Sequence, residues 1–241
     1  LALLASGGAP WGATALVGLS AFPVQAQTSG EPIKIGAIVS ATGAGAGLGV
    51  PERNGLLLAE KDINAKGGIK GRPIKIVVED DASNPDTALS KANDLIFGQK
   101  VQALLGPSLT ASTVAVGGVT HANKIPQIAF TGIGPAVERE RKCVAHVLPP
   151  QRLNATALLE YAKSIKATKV GVLHDAGYGN VVMAELKPLA DKYGVKLVAV
   201  EKFEIGATDT TTQAAKVKAS QPDAVFIIAT SATPFRNVKQ I

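Results

Sequence analysis

Residues 33–81 read IKIGAIVSATGAGAGLGVPERNGLLLAEKDINAKGGIKGRPIKIVVEDD, and this stretch decides the fold. Two short runs rich in Ile and Val, Ile33–Ser40 and Pro73–Asp80, stand near its two ends. Runs of this length and composition predict buried β-strands. The stretch between them is long enough for a helix that returns the chain, so the pattern predicts a strand–helix–strand unit with parallel strands.

The segment between the two strands divides into a loop and a helix. Thr42–Gly49 holds four glycines and predicts a flexible loop whose backbone can approach a ligand closely. Pro51 suits the first turn of a helix, and Gly67 and Gly68 suit its end. The loop therefore follows one strand and precedes a helix.

The same alternation continues through the rest of the chain. It predicts strands at Val101–Leu105, Pro126–Thr131, Thr168–Asp175, Val195–Val200 and Asp223–Ala229, and helices at Thr87–Phe97, Ala111–Asn123, Thr211–Ser220 and from Pro234 to Ile241. Two further helices are predicted by apolar stripes, one at Leu158, Tyr161 and Ile165 and one at Val182, Leu186, Leu189 and Tyr193. Repeated units of this kind form parallel sheets covered on both faces, which makes the fold class α/β.

One segment interrupts the alternation. Lys142–Arg152 contains Pro149 and Pro150, which cannot continue a helix and fit a central strand poorly. We interpret it as a crossover between two Rossmann-like lobes, at residues 31–148 and 151–241. Ligands of such sheets bind beyond the carboxyl ends of the strands, so the residues that follow each strand are the candidates for a site.

The first 30 residues contain no Asp, Glu, Lys or Arg, whereas all 25 basic and 19 acidic residues follow them. An apolar run ends in Val24-Gln25-Ala26, with small residues where signal peptidase requires them. Residues 1–26 are therefore predicted to be a signal peptide. The alternative, a membrane anchor, is disfavoured because Pro10 and Pro23 interrupt the run. The chain begins with Leu, and we expect it to be part of a longer protein that supplies the basic start of the signal and the rest of the second lobe.

Composition excludes several function classes. The formal charge of +6 comes from dispersed Lys and Arg without interleaved aromatic residues, which is not typical of a nucleic-acid surface. A single Cys allows no disulfide framework, and the three His residues lack metal-ligand spacing. The glycine loop matches neither a dinucleotide fingerprint nor a P-loop. No cofactor and no metal are predicted.

The segment Gly106–Thr110 superficially resembles a nucleophile elbow, but the second Gly is absent. A better interpretation uses the next helix, which begins with Thr110, Ala111 and Ser112. Hydroxyls and free N–H groups at a helix start can bind a carboxylate, although simple N-capping would use the same residues. Tyr178, after a strand, is placed either at the edge of a cleft or as a turn residue that covers a helix start.

Four stretches in order carry a resemblance to a known family: IKIGAIVSATG, NGLLLAEKDINAKGGIKGRPIKIVVEDDASNP, LLGPSLTAST and KVGVLHDAGYG. The chain resembles substrate-binding proteins of branched-chain amino acid-type ABC transporters over residues 33–241. The resemblance implies the type I periplasmic binding fold, two Rossmann-like lobes joined by three crossovers that close on a ligand at a hinge. It also implies a monomeric, non-enzymatic periplasmic receptor that delivers a small molecule to an ABC transporter permease.

The resemblance also implies site residues. The family's carboxylate-binding region falls on Thr110, Ala111 and Ser112 and continues, after the next strand, on Thr131, Gly132 and Ile133. The position that packs on the ligand side chain falls on Leu48, the aromatic residue of the second lobe on Tyr178, and the following strand end on Thr230 and Ser231. The family often has Thr where this chain has Ile133, which disfavours a free α-amino acid, and its ammonium-binding acid would fall at or past Ile241.

Three interpretations stay open at this point. The leading one is a receptor for a branched-chain amino acid or a related carboxylate, with aromatic acids and amides as alternative ligands. The second is the ligand-sensing domain of a signalling receptor with the same fold. The third is an exported α/β enzyme, for which the spacing of nucleophile, base or dinucleotide loop is missing.

Overall fold

The computed structural model describes residues 30–230, which form two parallel β-sheets flanked by helices. The strands are β1 (Ile33–Val39), β2 (Ile74–Asp80), β3 (Ala103–Leu105), β4 (Gln127–Ala129), β5 (Val144–His146), β6 (Lys169–Asp175), β7 (Lys196–Phe203) and β8 (Ala224–Ile228). The helices are α1 (Ala46–Ala65), α2 (Pro85–Asn93), α3 (Thr110–Ala122), α4 (Pro135–Glu140), α5 (Gln151–Ser164), α6 (Tyr178–Ala190) and α7 (Thr211–Ala219).

The first sheet has the strand order β2-β1-β3-β4-β5, with all neighbours parallel. β1 pairs in unbroken register with β2, from Ile33 opposite Ile74 to Val39 opposite Asp80. Ile38 and Leu104 are fully buried in one core cluster with Ala88 and Ala92 of α2 and with Leu95, which follows that helix in a short π-helical turn. Because all strands of this sheet are parallel, their carboxyl ends lie at the same edge of the first lobe.

The second sheet has the order β7-β6-β8 and is also parallel. Its core packs α5 and α6 against β6, through buried residues such as Leu159, Val172 and Leu186. The predicted stripe on α5 marks the helix correctly but not its buried face, since Tyr161 is 62% exposed. The small residues Ala155 and Ala162 are fully buried there because α6 packs closely on α5.

The glycine segment differs from its prediction. Gly43–Gly45 form a short 3-10 turn, and α1 begins at Ala46, so Leu48 lies on the helix and not in a loop. Pro51 is the sixth helical residue, not a first-turn residue. The helix starts early because Gly49 packs directly on the end of β1, where a side chain would overlap the Ser40 backbone.

The predicted crossover Lys142–Arg152 is only partly irregular. Val144–His146 form β5, a short fifth strand of the first sheet, and α5 already begins at Gln151. The change from one sheet to the other therefore takes place over the few residues that include Leu148, Pro149 and Pro150. The proposed domain limits at residues 148 and 151 stay predictions.

The signal peptide, Ser231 and the helix predicted from Pro234 lie outside the described residues. Within residues 30–230, none of the helices combines the length and the apolar character that crossing a membrane requires.

Candidate functional site

A cavity of about 340 Å³ lies where strand ends of both sheets meet. The first lobe contributes residues from the start of α1 and from the segments that follow β3, β4 and β5, and the second contributes the start of α6 and the segment that follows β8. The lining residues are Leu48, Glu52, Ser108, Phe130, Thr131, Leu148, Tyr178, Ala229 and Thr230. This is the cleft position at which α/β sheets bind ligands.

The start of α1 forms one wall of this cavity. Because Gly49 allows the helix to rest on the Ser40 backbone, the helix turn that carries Leu48 and Glu52 is held against the strand end. These two residues are four positions apart and share one helix face. Leu48 was expected from the family resemblance, whereas Glu52 was not.

Glu52 is the outer member of a chain of hydrogen bonds that leads into the core. The Ser108 hydroxyl donates to Glu52 Oε2 and accepts from the Ser40 N–H at 2.9 Å. The Ser40 hydroxyl donates in turn to Asp81 Oδ1 at 2.7 Å, and Asp81 is fully buried. These hydrogen bonds link the carboxyl groups of Glu52 and Asp81 through Ser108 and Ser40.

The environment of Glu52 disfavours its charge. Burial is the largest cause and raises the pKa of this carboxyl group, the hydrogen bond from Ser108 lowers it, and the negative charge of Asp81 raises it again. The net pKa of Glu52 lies above its ordinary value. A positive group placed beside Glu52 would offset this cost.

The predicted carboxylate-binding region forms a compact polar group at the start of α3. Thr110 and Thr131 are buried with their hydroxyl oxygens 3.2 Å apart, and the Thr110 hydroxyl also donates to the Gly132 carbonyl oxygen at 3.3 Å. Thr131 lines the cavity, and Thr110 lies behind it. The N-cap of α3 is Leu109, whose side chain makes no capping hydrogen bond, so neither Thr110 nor Ser112 caps this helix.

The other residues of that region lie apart from the cavity. Ala111 is exposed on α3, and Ile133 is buried in the first lobe. Ser112 is buried, and its hydroxyl has no hydrogen-bond partner among the described residues. Gly132 approaches the Gln151 side chain so closely that a Cβ would overlap it. Gly132 therefore contributes only backbone atoms to this region.

In the second lobe, the Asp175 carboxylate organises the end of the sheet. Oδ1 accepts from the N–H groups of Gly177 and Gly179, at 3.0 and 2.7 Å. Oδ2 accepts from the N–H and the hydroxyl of Thr230, at 2.7 and 2.9 Å. Asp175 thereby joins the start of α6 to the chain after β8. Thr230 lines the cavity with its hydroxyl already bound.

Tyr178, the first residue of α6, lies in the walls of two cavities. Its hydroxyl accepts a hydrogen bond from Asn154 Nδ2 at 2.9 Å. Burial raises the pKa of Tyr178 above its ordinary value, so the hydroxyl keeps its proton and can donate it. The second cavity, of about 400 Å³, lies within the second lobe between α5, α6 and β8, and most of its lining is apolar.

A second carboxylate joins two loops beside the cleft. Asp80 Oδ1 accepts from the N–H groups of Thr42 and Ala82, at 3.2 and 2.9 Å, and Oδ2 accepts from the Thr42 hydroxyl at 2.7 Å. Burial alone would raise the pKa of Asp80, but these hydrogen bonds lower it below its ordinary value. Asp80 thus fixes the loop that leads from β1 into α1.

Sequence reasoning missed three of the polar residues that shape this site. Ser108 was considered only as a nucleophile, whereas its hydroxyl is bound to Glu52 and Ser40. Glu52 could have been found by its four-residue spacing from Leu48 once the helix start was known. Asp175 is the last residue of a buried strand, and a carboxylate at that place is itself a signal for a residue at the sheet edge. In the part of the chain that the structure describes, His, Cys, Asp and Glu form no cluster that could hold a metal ion.

A family model described as periplasmic binding protein matches residues 32–241. This chain belongs to the periplasmic binding protein family. The resemblance to the branched-chain amino acid type of this family is confirmed, as is the prediction of an α/β fold with parallel sheets.

One curated relative of this periplasmic binding protein is an amino acid binding protein of Pseudomonas aeruginosa. It is 32% identical over 197 residues, which cover 80% of this chain and 53% of the relative. The chain thus spans about half the length of the relative that it matches.

Two solved structures show the same fold in ligand complexes. The branched-chain amino acid transporter substrate binding protein of Streptococcus pneumoniae, in complex with isoleucine, aligns with a TM-score of 0.73 at 26% identity, over 82% of this chain and 57% of that one. A solute binding protein of an ABC transporter from Rhodopseudomonas palustris BisB5, in complex with 3,4-dihydroxybenzoic acid, aligns with a TM-score of 0.73 at 25% identity, over 82% and 54%.

Proposed function

We propose that the complete protein is an exported periplasmic receptor that binds a small carboxylate-bearing solute between its two lobes. The solute is a branched-chain amino acid or a related acid, and closure of the lobes around it precedes delivery to the permease of an ABC importer. The protein acts as a monomer and does not transform its ligand. The observation that carries this proposal is the cavity of about 340 Å³ whose wall both lobes share.

The shared wall supports a closure mechanism. A ligand in this cavity contacts Leu48 and Thr131 of one lobe and Tyr178 and Thr230 of the other. Such a ligand makes its full set of contacts only when the lobes are together, so it favours the closed state over an open one. A permease that recognises the closed form would then bind the receptor together with its ligand.

The chemistry of the cavity supports a small solute that is polar at one end. Its volume lies near the lower limit for small-molecule sites. Leu48, Phe130 and Leu148 offer apolar surface for a hydrocarbon portion. The Thr131 hydroxyl and the start of α3 behind it offer hydrogen-bond donors, which suit a carboxylate.

Aromatic acids are the second candidate class of ligand. Phe130 and Tyr178 both line the cavity and can stack on a ring. A related solute binding protein from Rhodopseudomonas palustris is in complex with 3,4-dihydroxybenzoic acid.

The proposal is tested by thermal-shift screening and calorimetry of the full-length protein with L-leucine, L-isoleucine, 3,4-dihydroxybenzoate and sorbitol. A bound ligand at about 100 times its Kd stabilises the folded state by about 2.7 kcal/mol and raises the melting temperature. We expect at least one carboxylate to do so, with a smaller radius of gyration in solution scattering. Binding of sorbitol alone, or binding without compaction, would contradict the proposal.

A further inference from the structure

Glu52 is the only residue with an ionisable carboxyl or basic group among those that line the cleft cavity of the described chain. The other lining side chains are apolar or carry hydroxyls. No Lys or Arg in that lining, and no ion pair within residues 30–230, neutralises Glu52. A ligand that carried only a carboxylate would meet another carboxyl group in this wall and no basic side chain among the lining residues.

Hydrogen bonds through Ser108 and Ser40 fix the position of the Glu52 carboxyl group. Ser108 donates its single proton to Oε2, and the Ser108 oxygen is itself held by the N–H of Ser40 at 2.9 Å. Oε1 accepts no hydrogen bond from a described residue. Glu52 therefore presents one oxygen that is bound within the protein and one that is available as an acceptor at the cavity.

The other charged group in the hydrogen-bond chain that starts at Glu52 is also a carboxylate. Asp81 lies behind Ser40, fully buried, with Oδ1 bound to the Ser40 hydroxyl and to the N–H of Ser83 at 2.8 Å. Asp81 Oδ2 has no hydrogen-bond partner among the described residues. Two carboxyl groups joined through serines, without an ion pair to any Lys or Arg of residues 30–230, favour a donor that arrives with the ligand.

We propose that Glu52 is a specificity-determining residue that accepts a hydrogen bond from an ammonium or hydroxyl group of the ligand. This inference rests on the proposed function, since it assumes that the cleft is the ligand site. The ligand then bears a carboxylate for the Thr131 side of the cavity and a hydrogen-bond donor for the Glu52 side. An acid without a donor binds more weakly, because it places its carboxylate in the same cavity as Glu52 without a hydrogen bond to that residue.

The test uses pairs of probes that differ only in the donor. L-Leucine and 4-methylpentanoate differ in the ammonium group, and 3,4-dihydroxybenzoate and benzoate differ in the hydroxyls. Calorimetry on the full-length protein should show at least tenfold tighter binding of the donor-bearing member of one pair. Glu52→Gln should weaken that binding by about 10- to 100-fold and reduce the preference, since it removes a charge-assisted bond.

Two further variants separate binding from folding. Asp62→Asn removes one carboxylate from the exposed side of the same helix and should leave every affinity unchanged. Ser108→Ala leaves Glu52 in place but without its hydrogen bond, and should give a smaller loss than Glu52→Gln. Circular dichroism and melting temperatures verify that each variant is folded.

L-Leucinamide, which keeps the ammonium group but lacks the carboxylate, distinguishes the two proposals. If leucinamide binds as tightly as leucine and Glu52→Gln abolishes both, the role of Glu52 stands and the carboxylate requirement fails. If both members of each pair bind equally and Glu52→Gln changes nothing, the role of Glu52 fails and the proposed function stands. If no probe binds, both proposals are overturned.

Discussion

The Asp175 carboxylate holds Thr230, 55 residues further along the chain, by its backbone N–H and by its hydroxyl, at 2.7 and 2.9 Å. The same carboxylate holds the N–H groups of Gly177 and Gly179 with its other oxygen. One buried side chain thus sets the positions of the two segments of the second lobe that reach the cleft.

Asp175→Asn should destabilise the protein, because an amide NH₂ then faces backbone donors. Loss of buried hydrogen bonds of this kind costs about 1–3 kcal/mol. Urea denaturation measures the change, with Asp191→Asn, at an exposed position of the same lobe, as the control. Equal stability of the two variants would show that Asp175 does not hold these segments together.

Gly49→Ala should be strongly unfavourable because the new Cβ would overlap the Ser40 backbone. Overpacking against backbone costs about 1–3 kcal/mol or more and would move α1, with Leu48 and Glu52, out of place. Gly55→Ala is the matched control on the same helix, because its Cβ would meet nothing within 4 Å. It should be neutral or gain up to about 1 kcal/mol. Similar unfolding midpoints for both variants would refute the close approach.

Thr110→Ala should weaken binding of a carboxylate ligand. The substitution removes the hydroxyl that lies 3.2 Å from the Thr131 hydroxyl and leaves Thr131 without that partner. We expect a loss of about 1–3 kcal/mol in binding free energy, measured by calorimetry on the full-length protein. Thr212→Ala, on the exposed surface of α7, is the control. An unchanged affinity would show that the Thr110 hydroxyl does not contribute to ligand binding.

Acid stability should depend on Asp80. Its pKa is lowered in the folded state, so its contribution is present above the ordinary carboxyl pKa and is lost as the pH falls through the lowered value. Asp80→Asn should therefore reduce the difference in unfolding free energy between about pH 5 and pH 2. Asp62→Asn supplies the comparison, and a pH profile identical to that of the unchanged protein would contradict the prediction.

The parts of the fold that sequence could predict are those that depend on local patterns. β1, β2 and β6 are runs of apolar residues long enough to stand out, and the sheets follow from their alternation with helices. β5 was missed because Val144–His146 lies close to Pro149 and Pro150, in the segment that those prolines led us to interpret as a crossover. The start of α1 was misplaced because it is decided by contact between Gly49 and Ser40, which no local preference encodes.

The same distinction applies to the site. Leu48, Thr131, Tyr178 and Thr230, which the resemblance implied, line the cavity. The hydrogen-bond chain from Glu52 to Asp81 joins residues from four separate segments, so it exists only after the fold has formed. Sequence reasoning therefore identified residues that line the cavity better than the hydrogen bonds that link its walls.

Tyr178 has one more consequence, because its ring belongs to the walls of both cavities. Together with Ala229, Tyr178 lies between the cleft and the apolar space within the second lobe. In the proposed receptor, the length of the solute would therefore be limited on that side by Tyr178 and Ala229. A smaller residue at this position would join the two spaces, which makes position 178 the natural place to redirect this scaffold toward longer solutes.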